Sequence, residues 1–180
     1  MTDHTFDIVV LGGGSGGYAA AIRASELGKS VALIEKDKVG GTCLHRGCIP
    51  TKALLHSAEV ADTTRSAPSG GVKTTFEGID MPAVTAYREG IVAKKFKGLE
   101  GLIKARGVTV VAGEGHLTAA NSVTVGDDTY VGTDIILATG SYSRTLPGLE
   151  IGGRVITSDH ALELAEVPAR VIVLGGGVIG

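Results

Sequence analysis

The sequence predicts an α/β fold: a central parallel sheet flanked by helices, with a small antiparallel β-meander. Three observations carry this. A continuous apolar run, Ile8-Val9-Val10-Leu11, precedes a glycine turn and an alanine-rich helix, and a second apolar run, Val31–Ile34, follows at βαβ spacing. The same order of apolar run and glycine turn recurs at Val171–Leu174 and Gly175–Gly180. Between them lie short β-rich runs split by turn residues, as in a meander.

The elements follow in order. Phe6–Leu11 reads as a buried parallel strand. Tyr18–Leu27 reads as a helix whose Ala19, Ala20, Ala21, Ile22 and Ala24 are small enough to lie close on a sheet, with Gly28 ending it. Val31–Ile34 is the next strand and stops at Glu35; such a βαβ unit is right-handed. Cys48–Val60 reads as helix, with Pro50 allowed in its first turn. Residues 63–75 read as a polar loop. A long helix is expected after Asp80, with Pro82 early in it and Val84, Tyr87, Ile91, Phe96, Leu99 and Ile103 along one face. Gly107 closes it, and Val108–Ala112 reads as a buried strand. The meander is expected at His116–Thr118, Val123–Val125 and Thr129–Val131, and Ile135–Ala138 as a further buried strand.

Composition narrows the function. Hydrophobic residues make up 43% of the 180-residue chain, enough for a sizeable core. Seventeen basic against nineteen acidic residues leave a net charge of -2, which excludes a nucleic-acid module driven by counterion release. Trp is absent, and four Tyr and three Phe are too few for a base-stacking platform. The uncharged stretch Ile8–Ile22 is short for a membrane span and broken by glycines. The opening residues lack the basic and apolar runs of a secretory leader, so a cytoplasmic protein is expected. Two closely spaced cysteines, Cys43 and Cys48, are no scaffold for a secreted domain.

Two motifs carry chemistry. Gly12, Gly14 and Gly17, with Ser15 and Gly16 between them, satisfy G-x-G-x-x-G between a strand and a helix. Gly12 permits the tight turn, Gly14 lets a pyrophosphate approach the backbone, and Gly17 lets helix and strand pack closely. The helix start favours a diphosphate, and Glu35 at the end of the next strand is placed to accept from a ribose. Gly175, Gly177 and Gly180 repeat the pattern, so two Rossmann-like units and two dinucleotides are expected. The chain ends on that second fingerprint, before its helix, which reads as a fragment of a longer protein.

Cys43 and Cys48 lie at a loop-to-helix junction, where one helical turn of ~5.4 Å could bring the sulfurs within disulfide reach. A redox pair is the leading reading. A metal site would use Cys43, His45 and Cys48 but lacks a nearby fourth ligand; two inert thiols are the third reading. Cys48, at the helix start one turn from Lys52, is favoured as the thiolate, and Cys43 in the preceding loop as the more accessible sulfur. His45 reads as a solvated loop residue.

The run Gly41-Thr42-Cys43-Leu44-His45-Arg46-Gly47-Cys48-Ile49-Pro50-Thr51-Lys52 resembles the redox-disulfide motif of the class I flavoprotein disulfide reductases. Ala53-Leu54-Leu55, Gly113-Glu114-Gly115, Ala138-Thr139-Gly140-Ser141, Leu146-Pro147-Gly148 and Ser158-Asp159-His160-Ala161-Leu162 extend the resemblance over nearly the whole chain. Cys-Leu, Cys-Ile-Pro and Ala-Leu-Leu make it most similar to the branch that oxidises dihydrolipoamide. The family's glutathione, mycothiol and mercuric reductases are the nearest rivals. A non-catalytic FAD-binding fragment is the rival from another class.

The resemblance implies FAD at Gly12, Gly14, Ser15, Gly16 and Gly17, with Glu35 and Lys36 at the adenosine end and Gly115 against the adenine. It implies Gly41, Thr42, Cys43 and Lys52 beside the flavin, Cys48 against it, and Thr139, Gly140 and Ser141 closing over the cofactor. Cys43 and Cys48 would be the catalytic disulfide, and Gly175, Gly177 and Gly180 part of an NAD site; no metal is implied. Residues 1–147 would form the FAD-binding domain, 148–169 a connector, and 170–180 the first strand and turn of an NAD-binding domain. Lipoyl domains of 2-oxo-acid dehydrogenase complexes, or of the glycine cleavage system, would be the partners of a homodimer. The family's catalytic base comes from the partner subunit's interface domain, and no residue here matches it. This chain departs in His45-Arg46 for a frequent Asn-Val, which puts a charged patch beside the disulfide, in Ser143 for Pro and in Thr51 for Ser.

Overall fold

Residues 2–177 and 180 are described by the structure, a computed structural model; Val178 and Ile179 of the second fingerprint lie outside the described residues. The order is β1 (Asp3–Leu11), α1 (Ser15–Glu26), β2 (Val31–Glu35), α2 (Gly41–Arg46), α3 (Cys48–Ser66), α4 (Met81–Ala105), β3 (Thr109–Ala112), β4 (Gly115–Ala119), β5 (Ser122–Val125), β6 (Asp128–Leu137) and α5 (Ser158–Ala161). One sheet runs β3-β2-β1-β6-β5-β4. Its first four strands are parallel, and β6, β5 and β4 form an antiparallel meander. The expected mixed α/β architecture is therefore present.

Strand alternation divides the core. Val10 and Leu33 face Ala21 and Ala24 of α1 and Ile103 of α4, while Val9, Leu11, Ala32 and Ile34 face Val123 and Tyr130 of the meander. Both faces of β1 and β2 are thus covered, which is why those strands read as unbroken apolar runs. Each fully buried Val, Leu or Ile contributes about 1.5–3 kcal/mol of transfer free energy. Asp80 caps α4 by accepting from the Ala83 amide at 3.1 Å, with Pro82 in the first turn. Gly107 leaves α4 at φ +70°, a conformation glycine adopts without strain.

Several expectations are corrected. α3 runs through Ser66 and tightens into a 3-10 turn over Ala67–Gly70, so the loop expected from residue 63 starts later. Thr64 and Ser66 donate their hydroxyls back to the Val60 and Asp62 carbonyls, and Arg65 pairs with Asp62 at 3.1 Å. Polar residues satisfied along an exposed helix face imitate a loop in sequence. β3 is an edge strand, with Val110 47% exposed, rather than a buried one. The strands expected at Thr129–Val131 and Ile135–Ala138 are one strand, β6, because pairing with β1 carries the chain through Gly132 and Asp134 without a turn. Its second half has β1 on one edge and no strand on the other among the described residues, so Leu137 is exposed. Val171–Leu174 forms no strand: all four residues are exposed and have no ladder partner among the described residues.

Candidate functional site

The site lies at the carboxyl ends of β1, β2 and β6. Gly12 leaves β1 at φ +105° while its amide donates to the Ile34 carbonyl at 2.8 Å. A β-carbon on Gly12 would lie 2.1 Å from the Ala138 carbonyl oxygen, and one on Gly17 would lie 1.8 Å from the Gly12 carbonyl oxygen. Neither position has room for a side chain. Gly14 and Gly16 differ: the nearest atom to a β-carbon on Gly14 is 4.0 Å away, and nothing stands within 4 Å at Gly16. The turn is closed toward the protein and open above the start of α1, where Gly14 is the N-cap and no side chain caps the helix. The first-turn amides, on Ser15, Gly16 and Gly17, have no intrahelical partner. Open space over unpartnered helix-start amides is the arrangement that can hold an anionic group such as a diphosphate.

Glu35 closes one side. Its Oε2 accepts from the Gly13 amide at 2.6 Å and its Oε1 from the Asp37 amide at 2.9 Å, so the carboxylate is oriented by backbone. Lys36 pairs with Glu114 at 3.3 Å, both largely exposed, next to Gly115. Gly115 has no room for a side chain, which would meet Leu11 at 2.6 Å. The Thr139 α-carbon would be 3.1 Å from a β-carbon on Gly12, which puts Thr139 beside the turn, with Gly140 and Ser141 following it in the chain.

The cysteine segment is joined directly to this turn. The Gly40 amide donates to the Gly13 carbonyl at 2.8 Å, and Gly40 bridges Gly14. Gly40 and Gly41 both have positive φ, at 107° and 55°. Cys43 sits within α2, not in a loop, and Cys48 begins α3 after Gly47. A β-carbon on Gly47 would be 2.9 Å from the Thr42 carbonyl, so only glycine lets α3 start this close to α2. Both cysteines are free thiols here; Cys43 is half-buried and Cys48 exposed. The expected loop placement of Cys43 is thereby corrected, because α2 half-buries it; its expected greater accessibility refers to the flavin-bound enzyme, in which the family resemblance implies Cys48 against the flavin. The adjacent Cys48 thiol and burial push the Cys43 thiol up, while the Lys52 charge acts in the opposite direction. Cys43, Cys48 and Lys52 therefore form one cluster. Among the described residues no group of three His, Cys, Asp or Glu is placed to hold a metal ion.

At the second fingerprint, the described glycines show the same two features as Gly12 and Gly17. Gly175 has φ +111°, and a β-carbon on Gly180 would lie 2.1 Å from the Gly175 carbonyl oxygen. Three features escaped sequence reasoning. Gly40 is one, and its signal was a glycine doublet with Gly41 in the turn shortly after β2. His45 is another: its Nε2 is 2.9 Å from the Val39 carbonyl and its ring meets Phe96, so it is not a solvated loop residue. Arg46 pairs with Asp37 at 3.8 Å, so the expected charged patch is split between an inward ring and an ion pair. Arg88 of α4 is the third, a guanidinium 4% exposed that donates to the Leu162 carbonyl and to Glu163. Nothing local in the sequence marks it. No helix among the described residues is long and apolar enough to cross a membrane.

A strand–glycine–helix turn joined to a thiol pair at the α2–α3 junction marks a two-motif, disulfide-oxidoreductase-like class of fold. The family model described as pyridine nucleotide-disulphide oxidoreductase matches residues 6–180, and the chain belongs to that family. It is 44% identical, over 97% of its own length, to the dihydrolipoyl dehydrogenase of Bacillus subtilis, covering 40% of that protein. It is 44% identical to the mitochondrial dihydrolipoyl dehydrogenase 1 of Arabidopsis thaliana and 43% to the dihydrolipoyl dehydrogenase of Chlamydia pneumoniae, covering 36% and 39% of those proteins. The chain thus spans about two-fifths of the length of these relatives.

Proposed function

We propose that this chain is the FAD-binding and redox-disulfide part of a dihydrolipoyl dehydrogenase, which oxidises protein-bound dihydrolipoamide to lipoamide with NAD as acceptor. The observation that carries this reading is the contact of Gly40 and Gly41 with Gly13 and Gly14, which fixes the paired thiols to the diphosphate cradle. The identity to dihydrolipoyl dehydrogenases supports the choice of substrate over glutathione, mycothiol or mercuric ion.

In this reading Gly12, Gly14, Ser15, Gly16 and Gly17 hold the FAD pyrophosphate. Glu35 accepts from the adenosine ribose, with Lys36 beside it and the Gly115 backbone at the adenine. Gly41, Thr42, Cys43 and Lys52 line the flavin, Thr139, Gly140 and Ser141 cover it, and Gly175, Gly177 and Gly180 belong to the NAD site. Residues 1–147 form the FAD domain, 148–169 the connector and 170–180 the start of the NAD domain. The substrate dithiol attacks the Cys43 sulfur of the Cys43–Cys48 disulfide, and Cys48 leaves as thiolate. The second substrate thiol then displaces Cys43, giving lipoamide and a Cys43/Cys48 dithiol. When bound, the flavin supplies the two-electron path from that dithiol to NAD. Two cysteines this close suit a reducing cytoplasm, and the partners are lipoyl domains of 2-oxo-acid dehydrogenase complexes met by a homodimer.

The test is NAD-dependent oxidation of dihydrolipoamide by the purified full-length flavoprotein, against reduction of glutathione disulfide, mycothione and mercuric ion with NADH or NADPH. Dihydrolipoamide oxidation lost in Cys43→Ser and Cys48→Ser supports the proposal. Preference for another disulfide or metal substrate, or a colourless protein, overturns it.

A further inference from the structure

α2, which carries Cys43, is six residues long and has no side-chain cap at its start. A helix this short does not hold its own geometry, so neighbouring contacts must orient it. Two adjacent residues between the cysteines supply them. Leu44 is buried over Gly40, so closely that a β-carbon on Gly40 would lie 2.3 Å from Leu44 Cδ2. His45 does the rest. Its Nε2 lies 2.9 Å from the Val39 carbonyl oxygen, which can only accept, so Nε2 carries the hydrogen. Its ring stands edge-on to Phe96 of α4, with centroids 5.1 Å apart and planes at 70°. Phe96 packs on the core cluster that includes Val39, Leu33 and Ile103, so His45 ties α2 to the same core from two directions.

We infer that His45 is a positioning residue for the Cys43–Cys48 pair, fixing the tilt of α2 against α3 and so the sulfur geometry in which dithiol and disulfide interconvert. This rests on the reading of the two cysteines as a redox pair. A disulfide tolerates only a narrow range of separations and torsions between its two β-carbons. Gly47 is the joint between the two helices, and its crowding against Thr42 leaves few ways for α2 to move without moving Cys43 relative to Cys48. The contacts that hold His45 are to the Val39 carbonyl and the Phe96 ring, not to either sulfur, so its effect passes through the helix. The reaction it tunes is balanced by glutathione: the Cys43–Cys48 disulfide and two glutathione thiols give two cysteine thiols and one glutathione disulfide.

The experiment uses the full-length flavoprotein, equilibrated in glutathione redox buffers, acid-quenched, alkylated and mapped at Cys43 and Cys48 by mass spectrometry. His45→Leu keeps apolar bulk against Phe96 and removes the donor; His45→Gln restores a donor of similar reach. The glutathione ratio at half-reduction is expected to shift fivefold or more in His45→Leu and to return within twofold in His45→Gln, with both variants melting near the unchanged protein. A His45→Leu ratio within twofold of the unchanged protein overturns the inference, as does a shift that Gln does not reverse. If His45→Leu does not fold, Phe96→Leu loosens the other wall: a shift of twofold or more supports the positioning role, and none overturns it. If the unchanged protein forms no reversible Cys43–Cys48 disulfide, the redox reading itself falls, and the positioning role with it.

Discussion

Gly41 passes Gly14 so closely that a β-carbon on Gly41 would lie 2.7 Å from the Gly14 α-carbon. The two glycines belong to different motifs, one opening the cysteine helix and the other the diphosphate cradle. Their contact makes the two motifs one site. Gly41 also sits at φ +55°, so a side chain there meets both strain and collision. Gly41→Ala is expected to destabilise the protein by about 1–3 kcal/mol, the usual size of such backbone strain. Urea unfolding with an unchanged slope and a lowered midpoint is the check; an unchanged midpoint would contradict the contact.

The exposures of the thiols set their order of reaction. In flavin-free, reduced protein, iodoacetamide is expected to modify Cys48 before Cys43, because Cys48 is exposed and the half-buried Cys43 thiol is pushed up by its neighbour and by burial. Flavin loading, which the family resemblance implies against Cys48, should reverse that order. Peptide mapping at short alkylation times reads both states. An order that ignores flavin would count against placing the cofactor there.

Acid stability should report on Asp7. Its carboxylate accepts from the Ser30 amide at 2.8 Å and the Ser30 hydroxyl at 2.7 Å, with Lys29 4.0 Å away. The Ser30 amide first, and then its hydroxyl, hold the Asp7 carboxyl below its ordinary value of 3.8. A depressed carboxyl stabilises the fold above its unfolded value, and that contribution is lost as pH falls through the lower folded value. Melting temperature should therefore fall below pH 4 by less in Asp7→Asn than in the unchanged protein.

How much of this was legible in the sequence depends on how local each cause is. The Ile8–Leu11 and Val31–Ile34 strands and the Gly12–Gly17 turn follow from neighbours within a few residues, and they stand as expected. α2 was hidden because six residues show no helical period. Edge exposure of β3 was hidden because an apolar run does not say how many strands flank it. His45 and Arg88 were misread or unseen because their partners, Phe96 for one and Leu162 and Glu163 for the other, are distant in sequence.

α4 carries helical glycines whose removal should help. A β-carbon on Gly98 or Gly101 would meet nothing within 4 Å, and both residues are exposed. Alanine is favoured over glycine in an exposed helix interior by about 0.8–1 kcal/mol. Gly98→Ala and Gly101→Ala should each raise the urea midpoint, and their effects should add less completely than those of distant sites because they lie one turn apart. A lowered midpoint would show that α4 meets another surface there.

The central claim is that the turn above α1 holds the diphosphate of FAD, and Gly14→Ala tests it most directly. The nearest atom to a β-carbon on Gly14 is 4.0 Å away and the backbone there is at φ -68°, so alanine fits the folded chain and fills only the cradle. Crowding of this kind costs about 1–3 kcal/mol, which is roughly 5- to 150-fold in affinity. FAD titration of the flavin-free full-length protein by flavin fluorescence should show binding weakened about fivefold or more in Gly14→Ala, with the melting temperature of the flavin-free protein unchanged. FAD bound as tightly by Gly14→Ala as by the unchanged protein would contradict the account.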